Sequence, residues 1–348
     1  MSDRSISALL AAGFVFVTVH VMASGLVASD ESNSEAAVRQ AVQKSLPFIE
    51  EKGLYWIEKK KCVSCHRVSF MTWSLSAAAR RGFDIDLEKV NGWIDWSIEQ
   101  GIPKPDGDKP VATKNADGLS QQLLARAEFP VDKTRDAAWS NYVDLILSVQ
   151  GEDGLWPPAG QLPGQKRKLG ETTDVSAVWH TVALTRELSS ESDSARQERL
   201  KSALDAAAKK ISIRKEAAST EWYVARLLLA LESGDETGSG TATKELVSLQ
   251  KPDGSWGWLK ADPGDALATG MSLYALVKSA EATSGATSKR EDAAQRAISF
   301  LVETQRDDGS WAVKGTKEKK KDKVEETAVY WGTTWAAIAL METLPVVE

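Results

Sequence analysis

Cysteine is nearly absent from this chain of 348 residues: there are two, Cys62 and Cys65, and histidine is almost as scarce, at three. Two cysteines exclude a disulfide framework, and a bridge between them would close too small a loop to stabilise much. A structural zinc wants four ligands. With no second cysteine pair, and only His66 and His180 beyond His20, the chain does not supply them. A thioredoxin-like redox pair needs a βαβ setting, and nothing around Cys62 reads as strands. A basic stripe interleaved with aromatics is also missing, and a formal charge of −6 with a pI near 5.4 excludes nucleic acid as a general partner. After about Asp30 no apolar run is long enough to span a bilayer. Apolar residues nonetheless make up 42% of the chain, enough for a substantial core and too many for a disordered protein.

The one long apolar run, Ile6 to Ala28, follows a short start carrying Arg4 and offers small-x-small sites at Val21-Met22-Ala23 and Leu26-Val27-Ala28. It reads as a signal peptide over 1–28, with an uncleaved membrane anchor as the alternative. Both put residues 29–348 outside the cytoplasm, in a periplasm or on the outer face of the cytoplasmic membrane. The membrane is a partner only if the leader stays uncleaved.

Export gives the two cysteines their meaning. Cys62-Val63-Ser64-Cys65-His66 has the spacing that lets two thiols add to the vinyl groups of one haem while the adjoining imidazole ligates the iron. The motif predicts one covalent haem c, attached at Cys62 and Cys65, with His66 as proximal ligand.

A repeat is written in the loops. Gln150-Gly-Glu-Asp153-Gly154-Leu-Trp156, Gln250-Lys-Pro-Asp253-Gly254-Ser-Trp256 and Gln305-Arg-Asp-Asp308-Gly309-Ser-Trp311 are one motif, QxxDGxW, at 150, 250 and 305. The spacing fits a unit of about 50 residues, with one copy lost between the first two. An apolar-periodic helix precedes each motif (136–150, 241–250, 291–305), and one richer in small, threonine and apolar residues follows (173–188, 265–280, 324–344). That contrast predicts an outer and an inner helix per unit. Further outer–inner pairs fall at 35–50 with 68–81, 87–99 with 119–129, and 200–211 with 220–232. Six helical hairpins result, and six can close into a ring that leaves no end exposed.

The loop motif, the unit length and the alternation resemble the squalene-hopene cyclase and prenyltransferase repeat superfamily over nearly all of residues 35–345. The resemblance implies an all-α fold, an (α/α)6 toroid of six hairpins with QxxDGxW-type loops. In that family class II cyclases protonate substrate from a DxDD motif, which this chain lacks. Asp84-Ile85-Asp86 lies in a predicted connection, and Asp307-Asp308 belongs to the third repeat motif. Protein prenyltransferases hold zinc with Asp, Cys and His, and complement-like relatives carry a thioester cysteine; here both cysteines sit in the haem motif. Cyclase and prenyltransferase activity are therefore not expected. In the repeat register Cys62–His66 occupies the loop slot of the first hairpin, so the haem is expected at the mouth of the central cavity.

The sixth iron ligand would come from His180 or Met271, with Met341 as an outsider; Met71 is too close to His66 to reach the opposite side of the porphyrin. A five-coordinate iron open to a small ligand is the remaining option. Tyr55, Trp56 and Trp73 suit packing on a porphyrin or within the first hairpin, and Arg67, Arg80 and Arg81 suit propionates or a solvated face. Lys314–Lys323 reads as a mobile, solvated insertion whose charge would guide an acidic redox partner. The expected function is that of an exported monohaem c-type protein in electron transfer. A haem-dependent oxidoreductase acting on an apolar or polymeric ligand in the cavity, and a non-catalytic interaction scaffold, are the alternatives.

Overall fold

The computed structural model describes residues 17–61, 63, 67–102, 112, 115–160, 162–282 and 288–347, with side chains from Ser34 onward. Among these residues there are twelve α-helices and no strand. The outer helices are α1 (Val17–Tyr55), α3 (Leu87–Gly101), α5 (Asp136–Leu147), α7 (Ser194–Ile211), α9 (Glu236–Ser248) and α11 (Ser288–Thr304). The inner helices are α2 (Val68–Arg80), α4 (Ala116–Ala125), α6 (Leu169–Ser190), α8 (Thr220–Glu232), α10 (Ala266–Ala282) and α12 (Glu326–Glu342). The fold is the expected all-α (α/α)6 toroid.

Burial separates the two sets as composition predicts. An outer helix such as α7 buries one stripe, Leu200, Ala203, Ala207 and Ile211, at helical spacing, while α12 is buried on nearly every side. Each inner helix packs on the next, and α12 packs on α2, so the inner ring is closed. The approach of α10 to α12 requires glycine: a Cβ at Gly270 would lie 2.7 Å from the Ala336 nitrogen.

One expectation is corrected. The hairpins drawn from sequence pair each outer helix with the inner helix that follows. In the structure α3, α5, α7, α9 and α11 lie mainly on the inner helix that precedes them, and α1 lies on both α2 and α12. Long loops let an outer helix end far from the next inner one, whereas connections such as 191–193 hold their helices side by side. Element bounds shift as well: α1 runs unbroken from Val17 through the outer helix expected at 35–50.

The QxxDGxW loops are corner fasteners. Gln150, Gln250 and Gln305 each donate Nε2 to the glycine carbonyl of their own loop, at 2.9, 2.9 and 3.0 Å. Each also donates to a carbonyl of the next outer helix, those of Ala203, Ala293 and Ala41, at 2.8 Å in every case. Those carbonyls lie within the helices and not at their ends. Gly154, Gly254 and Gly309 have φ near +80°, and their lack of a Cβ lets the turn press on that neighbour; at Gly254 a Cβ would sit 2.5 Å from the Arg296 carbonyl. Trp156, Trp256 and Trp311 are buried and return their N–H to the carbonyl ten residues earlier, at 2.8–2.9 Å. The third fastener joins α11 to α1 and so closes the outer ring.

Lys314 bridges Val324 and Gln165 bridges Lys317, so the base of the lysine-rich insertion is docked on the 160s loop, while residues 318–324 are exposed, as expected of a solvated segment. Among the described residues no helix is long and apolar enough to cross a membrane.

Candidate functional site

All six inner helices run the same way, with N-termini at the face of the long loops. The partial positive charge of parallel helix starts accumulates there and favours acidic side chains. Asp117, Glu171, Glu221, Asp265 and Glu325 occupy the starts of α4, α6, α8, α10 and α12, Asp265 and Glu325 accepting the Ala268 and Ala328 N–H at 2.8 and 3.1 Å. Burial pushes the Asp265 carboxyl up to about 6, although backbone N–H groups of Ala268 and Trp258 pull the other way.

Between these helix starts lies a cavity of about 270 Å³. Trp56, Trp179, Trp331 and Trp335 supply aromatic walls, and Asp117, Ser120, Gln165, Arg167, His180 and Glu221 the polar ones. Val63, Met271 and Lys317 also line it. Cys62, Cys65 and His66 lie outside the described residues. Val63, one of the two residues between the cysteines, thus shares a cavity with both His180 and Met271, residues more than 100 positions away in sequence.

His180 is fully buried. Its Nδ1 is 2.6 Å from Ser120 Oγ, its ring lies 5.3 Å from that of Trp156, and its Nε2 makes no hydrogen bond but stands 3.5 Å from Asp117 Oδ1. Burial works to raise the Asp117 carboxyl, yet His180, the Ser176 hydroxyl at 2.6 Å and the Ala159 N–H at 3.1 Å hold it below the ordinary aspartate value. Among the described residues no third His, Cys, Asp or Glu joins this pair to form a metal site.

On the other side of the cavity Arg167 Nη1 donates to Glu221 Oε2 at 2.7 Å and to Ser219 Oγ at 3.1 Å, and its guanidinium lies over Trp258. Glu221 Oε1 accepts the Trp179 N–H at 3.0 Å. Glu171 accepts two backbone N–H groups and the Ser219 hydroxyl; these outweigh burial and lower its pKa. Motif reading missed Asp117, Gln165, Arg167 and Glu221. The signal available was their position at or just before inner-helix starts.

The other candidates separate. Trp56 lines the cavity and flanks Arg67, whose buried guanidinium is 4.5 Å from the Tyr330 ring and 5.3 Å from that of Trp56 and pairs with Glu326. Arg67 is thus not on a solvated face, and its Nε and Nη1 have no hydrogen-bond partner among the described residues. Arg80 and Arg81 belong to the opposite end of α2, where both pair with Glu128. Met341 is also at that far end, its carbonyl accepting from Arg81, so it does not belong to the cavity. Met71 is buried against Gly53 of α1. Trp73 belongs to a core cluster with Phe70, Tyr274 and Trp335, and Tyr55 is half exposed. Asp86 caps α3 on the face away from the cavity, and Asp308 Oδ1 is engaged by Ser310, so neither stands where a cyclase acid would.

No family model and no curated protein matches the chain. Among solved structures it is similar to the unsaturated glucuronyl hydrolase of Bacillus sp. GL1, responsible for the degradation of glycosaminoglycan, with a TM-score of 0.63 at 12% identity over 88% of this chain and 96% of that one. It is also similar to the apo type II terpene cyclase MstE from Scytonema, with a TM-score of 0.56 at 12% identity over 88% and 99%. Likeness at this identity shows the shared toroid, and function has to be argued from the site.

Proposed function

We propose that the chain is an exported monohaem c-type protein that works in electron transfer, with haem c held through Cys62 and Cys65 and ligated by His66 at the cavity mouth. The observation that carries this reading is the meeting of Val63 with His180 and Met271 around one cavity. The residues present fit the group: an indole wall at Trp56, a buried imidazole at His180 whose Nε2 has no hydrogen bond among the described residues, and the open end of the ring beside Val63. Bound there, the haem supplies one-electron chemistry. His180 and Met271 are the two candidates for the distal position; the His180 ring is fixed by Ser120 Oγ on Nδ1, and its Nε2 faces Asp117 Oδ1 at 3.5 Å. The acidic partner surface expected for electron transfer has its counterpart in the lysines of 314–323 beside the cavity.

The test is a pyridine haemochrome of protein exported from a host competent in haem attachment. A c-type spectrum that disappears in a Cys62→Ala/Cys65→Ala variant is expected; unchanged haem content in that variant overturns the reading. A second reading, haem-dependent oxidation of a substrate in the cavity, is favoured by the open space of about 270 Å³. Rapid cyanide or carbon monoxide binding supports it, and a tightly six-coordinate spectrum counts against it.

A further inference from the structure

Aromatic side chains are gathered at one place among the inner helices. Trp179 of α6 lies 6.1 Å from Trp335 of α12, and Trp335 lies 5.6 Å from Tyr274 of α10 and 5.5 Å from Trp73 of α2. Trp73 meets Tyr274 edge-on at 5.9 Å, and Phe70 fills the side at 5.4 Å from Trp335. Elsewhere among the described residues aromatic rings meet only in twos and threes, as in Phe48 with Tyr330 or Phe129, Trp139 and Tyr142. The separations are ordinary for aromatic pairs, and aliphatic side chains such as Leu267, Leu273 and Leu276 of α10 would pack there as well. What tryptophan and tyrosine add is chemistry, because each can lose one electron.

The line of rings has two different ends. Trp179 is half-buried on the cavity wall, and its N–H donates to Glu221 Oε1 at 3.0 Å. A carboxylate therefore stands where it stabilises the positive charge that an indole acquires on losing an electron. Tyr274, at the other end, belongs to the charged cluster of the helix C-termini: Lys278 lies over its ring at 5.8 Å, and Glu342, which holds Lys278 at 2.7 Å, is near enough to act on the hydroxyl. Burial keeps that hydroxyl protonated. A phenol yields an electron at neutral pH only as its proton leaves, and Glu342 is the base in reach. Trp335 alone bridges the two ends.

We infer that Trp179, Trp335 and Tyr274 form a relay that carries oxidising equivalents from the cavity to the closed end of the inner helices. For its oxidant the relay rests on the haem reading, in the form with an iron open to a small ligand; the line of rings does not depend on it. Hydrogen peroxide reduced in the cavity takes two electrons, and two protons from solvent, and leaves as two waters. The first electron comes from Tyr274 by way of Trp335 and Trp179 while the phenolic proton passes to Glu342, so Tyr274 becomes the neutral phenoxyl radical. The second comes from Trp335 by way of Trp179 and leaves the indole cation radical. Both oxidised residues then lie behind the cavity wall, away from whatever the cavity holds.

The test is pulse radiolysis of the haem-free Cys62→Ala/Cys65→Ala chain with the azidyl radical, a one-electron oxidant that becomes azide, attacks indoles first and is small enough to enter the cavity. The indolyl absorption is expected to decay with matching growth of the phenoxyl absorption, at a rate independent of protein concentration. Tyr274→Phe, which keeps the ring, should lose most of that growth, and Trp335→Phe should slow it. Tyr223→Phe, at a buried tyrosine outside the cluster, should leave it unchanged, and helical circular dichroism should be unaltered in all three. No transfer, a rate that rises with protein concentration, or undiminished phenoxyl growth in folded Tyr274→Phe overturns the inference; should Trp335→Phe fail to fold, Tyr274→Phe decides alone. With haem attached, peroxide should leave a phenoxyl signal in electron paramagnetic resonance that Tyr274→Phe removes, and a signal that persists there overturns the inference too. Because the azidyl experiment needs no haem, failure of haem attachment and failure of the relay are told apart.

Discussion

The two ends of the inner ring are built from the same six helices and are opposite in character. At the closed end, the C-termini, charges are paired with one another inside the protein. Arg81 meets Glu342 at 3.0 Å and Glu128 at 3.4 Å, Lys278 meets Glu342 at 2.7 Å, and the chain's final segment lies across it through Val347 N–H to the Arg80 carbonyl at 2.8 Å. Burial there pushes the Tyr274 hydroxyl up to about 12. At the open end, the N-termini, the charges are likewise paired within the wall, but they surround a hollow of about 270 Å³. Basic groups at helix C-termini and acidic groups at N-termini both follow the helix dipole. The difference lies in filling: one end is packed to exclude everything, and the other keeps space.

That comparison predicts where substitutions cost stability and where they cost binding. Arg81→Ala removes one of two partners from each of Glu342 and Glu128, which keep Lys278 and Arg80, and should cost about 1–3 kcal/mol in denaturant unfolding. Haem content per folded molecule should not change. Should Arg81→Ala lower haem content as much as stability, the two ends are not separable. Gly309→Ala forces a side chain into the backbone of α1 at positive φ and should cost about 2–3 kcal/mol, more than Gln305→Ala at about 1–2 kcal/mol. Both open the joint between α11 and α1, so faster proteolysis near the N-terminal helix accompanies them. The same pair of substitutions at Gly154 and Gln150 should open an internal corner and leave that joint intact.

A smaller effect is expected with pH. Asp265 titrates at about 6 in the folded protein against an ordinary value of 3.8, so between these values the folded state binds the extra proton. Its contribution to stability therefore falls as pH rises from about 4 to about 6. In Asp265→Asn the melting temperature should lose that slope. Asp253 and Asp308, held low chiefly by Ser255 and Ser310, act in the other direction and in another window, losing stability only as pH falls below about 4. The smallest effect is on stability in Trp331→Phe at the open end, within about 0.5 kcal/mol, measured by the same unfolding.

How much was legible in the sequence depended on the range of the interaction. The three Asp-Gly turns, the tryptophans after them and the inner and outer helical patterns are local, and each showed directly in residue order. Arg67 was not legible: an arginine following a histidine looks solvated, and only the approach of Tyr330 from the last helix and Trp56 from the first buries it. Nor was the glutamine's second bond, because Ala41 becomes a neighbour of Gln305 only when the ring closes. The docked base of the lysine-rich insertion was hidden for the same reason, since its bridge to Gln165 pairs loops about 150 residues apart.

Residue order by itself determined the toroid and the Cys62–His66 motif, since turn chemistry, helical period and thiol spacing are properties of short stretches. Tertiary structure alone decided which end of the ring is open and what meets there. Asp117, Gln165, His180, Met271 and Trp331 come from four helices and a loop, and only the parallel alignment of inner-helix starts brings them around one cavity with Val63.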